Sequence, residues 1–311
     1  MSDTNYERRD FLKSTAMLAA TAGVMSAGSS LLRAGENDTK MKKALGQGMI
    51  ASKDGDKALT LDERMKAVKE AGFDGVELNS PGIADRDAWK KALDDNGLQV
   101  SEIVDSAHWG KPFSSASDKV REEGAGALKI ALEDAKFFGA TSVLLVPAVV
   151  NKQIRYDDAY ARSHAEIKKM IPVAKDLGVK IAIENVWNDF LLSPLEAARY
   201  IDEFESEWVG AHFDIGNVAV YGFPEQWIKI LGKRILKLHV KEFSRTKAEK
   251  EGKWKGFSHP LGDKEGIDWP AVATALKEIG YTGWATAEFG AGSRASMKDA
   301  ADRMDKVLQL K

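Results

Sequence analysis

The chain has 311 residues, of which 44% are hydrophobic and 30% are charged, and its formal net charge is −2. This is an ordinary globular composition, and its nearly balanced charge provides no basic surface for binding nucleic acid or a membrane. The absence of cysteine excludes disulfides, thiolate metal sites and cysteine nucleophiles.

The first segment, residues 1–34, is similar to a targeting peptide. Arg8-Arg9-Asp10-Phe11-Leu12-Lys13 precedes a mildly apolar run over 15–25, which is too short to span a bilayer. The R-R-x-F-L-K pattern resembles a twin-arginine signal, which directs folded proteins to an export machinery. We therefore predict a leader at 1–34, interaction of the precursor with the twin-arginine machinery, export to the periplasm and no stable membrane insertion after processing. An amphipathic surface helix is the alternative.

From residue 42 onward, strand-like and helix-like segments alternate. Strands are predicted at 44–50, 72–79, 98–105, 141–148, 179–186, 209–215, 235–242 and 283–288. Helices are predicted to begin at 61 and to cover 85–95, 117–138, 157–177, 193–205, 224–232, 269–279 and 294–309. The charged run 247–255 is interpreted as a solvated loop.

Eight strand–helix units predict an α/β protein, namely a closed (β/α)8 TIM barrel that forms a single domain over residues 42–311. Several helices are expected to end at a glycine, because a left-handed C-cap favours that residue: Gly72, Gly97, Gly178 and Gly280. An open, doubly wound sheet is the alternative. No G-x-G-x-x-G or G-x-x-x-x-G-K-[ST] motif opens a helix, which removes the usual nucleotide-binding reason for such a sheet.

Four successive strands of the second half each end on a potential metal ligand. The runs I-A-I-E, A-H-F-D, L-K-L-H and A-T-A-E end at Glu184, Asp214, His239 and Glu288. Because the carboxyl ends of parallel strands meet at one rim of a barrel, we expect these side chains to converge. Three carboxylates and one imidazole suit a single Mn²⁺, Mg²⁺ or Co²⁺ ion better than tetrahedral Zn²⁺. A lone strand-end carboxylate is more often a helix cap or part of an ion pair, so the prediction depends on all four.

Four runs of sequence resemble the sugar phosphate isomerase/epimerase family, whose fold is the xylose isomerase-like barrel. These are I-E-N-V-W-N at 183–188, F-D-I-G-N at 213–217, H-V-K-E at 239–242 and P-L-G-D-K-E-G-I-D-W at 260–269. In ketose 3-epimerases of that family, a divalent metal is bound by residues that match Glu184, Asp214, His239 and Glu288. The resemblance further implies that Glu184 and Glu288 are the acid/base pair and that Arg245 contacts the substrate.

Further candidate substrate contacts lie at or just after the strand ends. They are Glu77, His108, Trp187, Asn188, Asn217 and Lys241. Glu77 could instead be a cap, and Trp187 could belong to the core. Asn217 stands where many relatives have histidine, and Phe190 stands where the 3-epimerases have another glutamate. These departures leave the identity of the substrate open.

The sequence therefore predicts a divalent-metal-dependent sugar isomerase or epimerase that uses a Glu/Glu acid–base pair and a metal-stabilised enediolate. One alternative is a lyase or hydrolase that acts on oxidised (3-keto) glycosides at the same metal site. A non-catalytic sugar-binding protein is a more distant alternative. The expected cofactor is one divalent ion, with Mn²⁺ favoured, and the expected partner is a small sugar or sugar derivative rather than nucleic acid. The sequence leaves open whether the chain forms a homo-oligomer.

Overall fold

The structure is a computed structural model that describes residues 41–290 and 292–310. The predicted leader at 1–34 lies outside these residues. In chain order, the strands are β1 (Lys42–Gly46), β2 (Lys53–Asp54), β3 (Lys57–Ala58), β4 (Gly75–Ser80), β5 (Gln99–Asp105), β6 (Ser142–Leu145), β7 (Lys180–Glu184), β8 (Val209–Asp214), β9 (Ile235–Val240) and β10 (Trp284–Ala287).

The helices alternate with these strands along most of the chain. They are α1 (Leu61–Ala71), α2 (Arg86–Asp95), α3 (Asp118–Phe138), α4 (Tyr156–Leu177), α5 (Pro194–Asp202), α6 (Ile215–Ala219), α7 (Pro224–Leu231), α8 (Arg245–Glu251), α9 (Trp269–Glu278) and α10 (Arg294–Val307). Among the described residues, no helix combines the length and the apolar character that crossing a membrane requires.

Eight parallel strands close into a barrel in the order β1-β10-β9-β8-β7-β6-β5-β4. Closure occurs at β1, which pairs with β10 on one side and with β4 on the other. An open sheet would leave two unpaired edges, so the predicted TIM barrel is confirmed and the doubly wound alternative is wrong. The strands β2 and β3 form a separate antiparallel hairpin outside the barrel.

Glycines end several helices in the way that the sequence predicts. Gly72 follows α1 with φ 98° and Gly178 follows α4 with φ 69°, both in the left-handed region that disfavours a side chain. At the other end of α1, Thr60 and Glu63 form a reciprocal capping box. Local sequence signals therefore set where these helices begin and end, and so where the next strand starts.

Several parts of the fold differ from the prediction. The first strand ends at Gly46, earlier than predicted, because Gln47–Met49 form a 3-10 turn. The charged run 247–255 is not a loop, since it contributes to α8 and to a 3-10 helix at Lys253–Ser258. Ser244 caps α8 by accepting a hydrogen bond from the Lys247 N–H, which a reading based on charge alone misses.

The apolar core lies between the barrel strands and the surrounding helices, whereas part of the barrel interior is polar. Glu102 is fully buried there, 2.5 Å from His212 Nδ1 and 2.6 Å from the Ser142 hydroxyl. His212 lies in the barrel interior and is 0% exposed. Its ring centroid lies 4.0 Å from that of His239, so this polar interior borders the predicted metal site.

Candidate metal centre

Three of the four predicted ligands lie together at the carboxyl ends of adjacent strands. Glu184 ends β7, Asp214 ends β8 and His239 lies in β9, and each offers a ligand atom within 4.8 Å of the other two. The strand register brings them together, because Asp214 pairs directly with His239 across β8 and β9. All three are buried, and Asp214 is 0% exposed.

The imidazole of His239 lies at the centre of this group. Its Nδ1 is 3.6 Å from Glu184 Oε1, 3.7 Å from Asp214 Oδ2 and 3.6 Å from Glu288 Oε2. Glu288, which directly follows β10, therefore joins the cluster as the sequence predicts. Among the described residues, the buried Nδ1 has no hydrogen-bond partner.

Glu77 determines which nitrogen of His239 is available. Its carboxylate oxygens are 3.0 and 3.1 Å from Nε2, and because a carboxylate only accepts, Nε2 is the nitrogen that carries the proton. In the neutral ring, the Nδ1 lone pair then faces three carboxylates, an arrangement that requires a proton or a cation between them. A carboxylate behind a histidine is also the usual way in which proteins orient a metal-binding imidazole. Glu77 was predicted to contact substrate, but its position behind His239 favours an orienting role.

Lys241 brings a positive charge to the same carboxylates. Its Nζ is 2.7 Å from Asp214 Oδ2 and also pairs with Glu288 Oε2. Burial alone would raise the pKa of Asp214, but the charges of Lys241 and His239 outweigh it and lower that pKa to about 2. Among the described residues, Asp214 Oδ2 nevertheless has no partner with acceptable hydrogen-bond geometry. Two buried polar atoms without hydrogen bonds, an oxygen and a nitrogen, therefore face each other, and this fits a cation-binding site.

The pKa of Glu184 shifts in the opposite direction to that of Asp214. Desolvation raises its pKa, and the neighbouring His239 offsets only part of this effect. For His239, burial lowers the pKa, but Glu77 and Glu288 outweigh it, so the pKa rises well above its ordinary value. Without a cation, the cluster therefore combines one carboxyl group with a raised pKa and another with a lowered pKa.

Two asparagines fix the position of Asp214. Asn185 donates from Nδ2 to the Asp214 carbonyl at 2.8 Å and accepts from the Asp214 N–H at 2.9 Å. Asn217 donates its N–H to Asp214 Oδ1 at 2.8 Å and its Nδ2 to the Asn185 carbonyl at 3.0 Å. Asn217 was predicted to contact substrate, but these bonds favour a bracing role. Asn185 was missed, although it directly follows Glu184.

Two other residues that were predicted to contact substrate donate hydrogen bonds to main-chain carbonyls. Asn188 is 2% exposed and donates to the Ala148 carbonyl at 2.7 Å. Arg245 donates from Nε to the Ala219 carbonyl at 2.9 Å and from Nη2 to the Gly222 carbonyl. These bonds tie together loops at the rim, so they favour structural roles for both residues over the predicted contacts with substrate.

His108 and Trp187 have surroundings that the sequence did not predict. His108 is buried, its Nδ1 accepts a hydrogen bond from the Val146 N–H at 3.2 Å, and burial lowers its pKa to about 4. Trp187 donates from Nε1 to Asn217 Oδ1 and stacks on Trp254. Phe190 packs against Tyr156 and Tyr200 in the core.

A closed parallel barrel with a carboxylate–histidine cluster at its carboxyl rim places the chain in a known class. Residues 65–307 match the family described as the xylose isomerase-like TIM barrel, and the chain belongs to that family. The L-ribulose-5-phosphate 3-epimerase UlaE of Escherichia coli O1:K1 / APEC is 27% identical over 256 residues, which cover 76% of this chain and 87% of that protein.

Solved structures show the same fold. The D-allulose 3-epimerase from Methylomonas sp., in complex with D-allulose, is 16% identical, with a TM-score of 0.69 over 88% of this chain and 98% of that one. The 3-keto-D-glucoside 4-epimerase YcjR from E. coli is also 16% identical, with a TM-score of 0.69 over 87% and 100%. At these identities, the similarity establishes the fold.

Proposed function

We propose that this chain is an isomerase that epimerises or isomerises a sugar or sugar derivative beside its carbonyl group, with one bound divalent cation. The observation that carries the proposal is His239 Nδ1, which is buried without a hydrogen bond and faces Glu184, Asp214 and Glu288 at 3.6–3.7 Å. The similarity to L-ribulose-5-phosphate 3-epimerase supports the proposed reaction class.

The proposed ligands are Glu184, Asp214, His239 and Glu288. Their oxygen-rich donor set favours Mn²⁺, Mg²⁺ or Co²⁺. When bound, the cation supplies positive charge that stabilises negative charge developing on a carbonyl oxygen. Lys241 would share Asp214 and Glu288 with the cation and would balance part of their charge.

The two glutamates are the proposed acid and base. Glu184 is buried at the end of β7, and its Oε1 lies 3.6 Å from His239 Nδ1. The Glu288 side chain is 38% exposed, so it lies closer to the open side of the cluster. Because the two carboxylates come from non-adjacent strands, one can remove the proton beside the carbonyl while the other returns a proton to the opposite face. Such a transfer inverts the carbon centre.

Deuterium exchange tests this assignment. Incubation of the Mn²⁺-loaded protein with candidate ketoses in D₂O should place deuterium at the carbon beside the carbonyl. The Glu288→Gln variant should lose this exchange while keeping the fold, because glutamine cannot accept the proton. Glu122→Gln, on the exposed face of α3, is the matched control and should exchange like the wild type. Normal exchange by Glu288→Gln would refute the role of Glu288.

The same proton removal could begin an elimination from a 3-keto glycoside, as the lyase alternative requires. Product analysis separates the two reactions, because elimination releases the group attached β to the ketone whereas epimerisation leaves it attached. We expect deuterated sugar without release of that group.

We also propose that the leader at 1–34 directs export through the twin-arginine machinery. The support is the motif Arg8-Arg9-Asp10-Phe11-Leu12-Lys13. Replacing Arg8 and Arg9 together by lysine should keep the precursor in the cytoplasm. Unchanged export of that variant would reject the assignment.

A further inference from the structure

A group of aromatic side chains lies next to Glu184, Asp214, His239 and Glu288, which we call the metal-site cluster. The proposed reaction gives this aromatic group no role. It consists of Trp187, Trp254 and Phe257, which we call the aromatic shelf. The Trp187 and Trp254 rings stack at 4.3 Å with an interplanar angle of 25°, and Phe257 lies 4.6 Å from Trp187. Trp254 nevertheless keeps 65% of its surface exposed, more than any other aromatic side chain among the described exposed large hydrophobics.

The aromatic shelf connects to the metal-site cluster in two ways. Lys241, which pairs with Asp214 and Glu288, has its Nζ 5.7 Å from the centre of the Phe257 ring. Trp187 donates from Nε1 to Asn217, whose own N–H binds Asp214. A molecule that reached the carboxylates would therefore have the shelf beside it.

The backbone holds the shelf in place. Gly256 approaches Phe243 so closely that a Cβ would lie 2.5 Å from its ring, and the Gly256 carbonyl accepts the Ser244 N–H at 3.1 Å. On the Trp187 side, Asp189 and Leu191 have φ values of 54° and 53°, which are uncommon for residues with side chains. Such close packing and local strain are not needed for an arbitrary solvent-exposed loop, and they favour a built surface.

A flat, exposed aromatic surface suits a neutral sugar ring. The C–H face of a pyranose packs on an aromatic ring, while the hydroxyl groups at its edge stay in water. A phosphate would instead require free cationic groups, but Lys241 is paired with carboxylates and Arg245 is bonded to main-chain carbonyls. Lys253 is exposed and lies 4.8 and 5.3 Å from the centres of the two indoles, so its ammonium group makes cation–π contacts and stays open to an anion, which makes glucose 6-phosphate the competing probe.

We infer that the aromatic shelf binds the second ring of a neutral glycoside whose first ring reacts at the metal-site cluster. This inference rests on the proposed function and makes it more specific, since it names a glycoside rather than a phosphorylated monosaccharide as the substrate class. The specificity residue is Trp254, since it is the most exposed member of the shelf.

Calorimetric titration of the Mn²⁺-loaded protein tests this inference without requiring turnover. The probes are glucose, galactose, glucose 6-phosphate and the disaccharides cellobiose, maltose and lactose. At least one disaccharide should bind about three- to tenfold more tightly than its component monosaccharide and than glucose 6-phosphate. Trp254→Ala should lose this preference, Trp254→Phe should keep most of it, and Ile130→Ala, an exposed apolar position on α3, should leave it unchanged.

Three results would overturn the inference: tightest binding of glucose 6-phosphate, equal binding of mono- and disaccharides by the wild type, or an undiminished preference in Trp254→Ala. The deuterium-exchange assay distinguishes failure of this inference from failure of the proposed function. Exchange without a disaccharide preference would refute the shelf alone. A disaccharide preference without exchange would refute the isomerase proposal and leave the shelf as a sugar-binding site.

Discussion

Glu77 does not face the carboxylates of the cluster, yet its charge acts on them through His239. Replacing it by glutamine would keep an oxygen that can accept the Nε2 proton, but it would remove the negative charge that makes Nδ1 a better donor. We expect Glu77→Gln to weaken Mn²⁺ binding by about 10–100-fold, the usual effect of losing such a partner. Calorimetric titration measures this, with Glu122→Gln as the control. Unchanged affinity would mean that Glu77 only fills space.

Asp105, at the end of β5, gives a pH-dependent stability that does not involve the cluster residues. Burial raises its pKa to about 7. Between its unfolded and folded pKa values the folded chain binds more protons, so this residue makes the protein less stable as the pH rises toward 7. The Asp105→Asn variant should not show this loss. Its free energy of unfolding, relative to that of the wild type, should therefore increase between about pH 4 and about pH 7.

Urea unfolding across this pH range measures the effect, and the exposed Asp56→Asn is the matched control. A stability difference between Asp105→Asn and the wild type that does not change with pH would contradict the assignment.

At the residue scale, the sequence predicted positions better than contacts. Glu184, Asp214, His239 and Glu288 were found because strand ends can be read from local patterns. The bond between Glu77 and His239 joins residues 162 positions apart, and only barrel closure brings them together. Asn188 and Arg245 show the same limit, because the sequence places them near the rim but does not determine which neighbouring carbonyl each side chain reaches.

At the element scale, two glycines in α3 have opposite surroundings. A Cβ on Gly124 would lie 2.4 Å from the Lys111 carbonyl oxygen, whereas a Cβ on Gly126 would meet nothing within 4 Å. Gly126→Ala should therefore stabilise the protein by about 0.5–1 kcal/mol, because alanine loses less backbone freedom on folding. Gly124→Ala should destabilise it, because the backbone of the preceding loop would have to move.

The pair provides its own control, since both substitutions add one methyl group to the same helix. Thermal and urea unfolding measure the difference. Equal effects of the two substitutions would contradict the packing described for α3.

The long helices were predicted well because each carries its own periodic pattern and terminal signals. The two shortest, α6 and α8, were not predicted. The five-residue α6 begins directly after Asp214, a proposed ligand, whose side chain caps the helix by accepting a hydrogen bond from the Asn217 N–H. The α6 sequence is too short to show the helical period of apolar residues. The α8 sequence shows no such period because none of its residues is buried. The helices α6 and α8 depend on caps and neighbouring contacts. Of the aromatic shelf, the sequence predicted Trp187 as a substrate contact but not Trp254 or Phe257.

At the scale of the whole molecule, pairing of the consecutive strands β7, β8, β9 and β10 brings the proposed donors together, and closure through β1 brings Glu77 of β4 to His239. A cation held by residues from β7, β8, β9 and the end of β10 would bind the folded chain but not the unfolded one. At a free Mn²⁺ concentration about 100 times the dissociation constant, binding should stabilise the fold by about 2.7 kcal/mol. A rise in the unfolding midpoint with added Mn²⁺, absent in His239→Ala, would agree with this; equal shifts in both proteins would not.

Elemental analysis of the purified protein after equilibration with Mn²⁺ and removal of free ion tests the central claim most directly. The account predicts about one Mn²⁺ per chain in the wild type, bound at an oxygen-rich site. It predicts almost none in the Asp214→Ala, His239→Ala double variant, provided that this variant keeps the circular dichroism of the folded barrel. A wild type without Mn²⁺, or a folded double variant that retains it, would contradict the claim that these strand ends form a metal site.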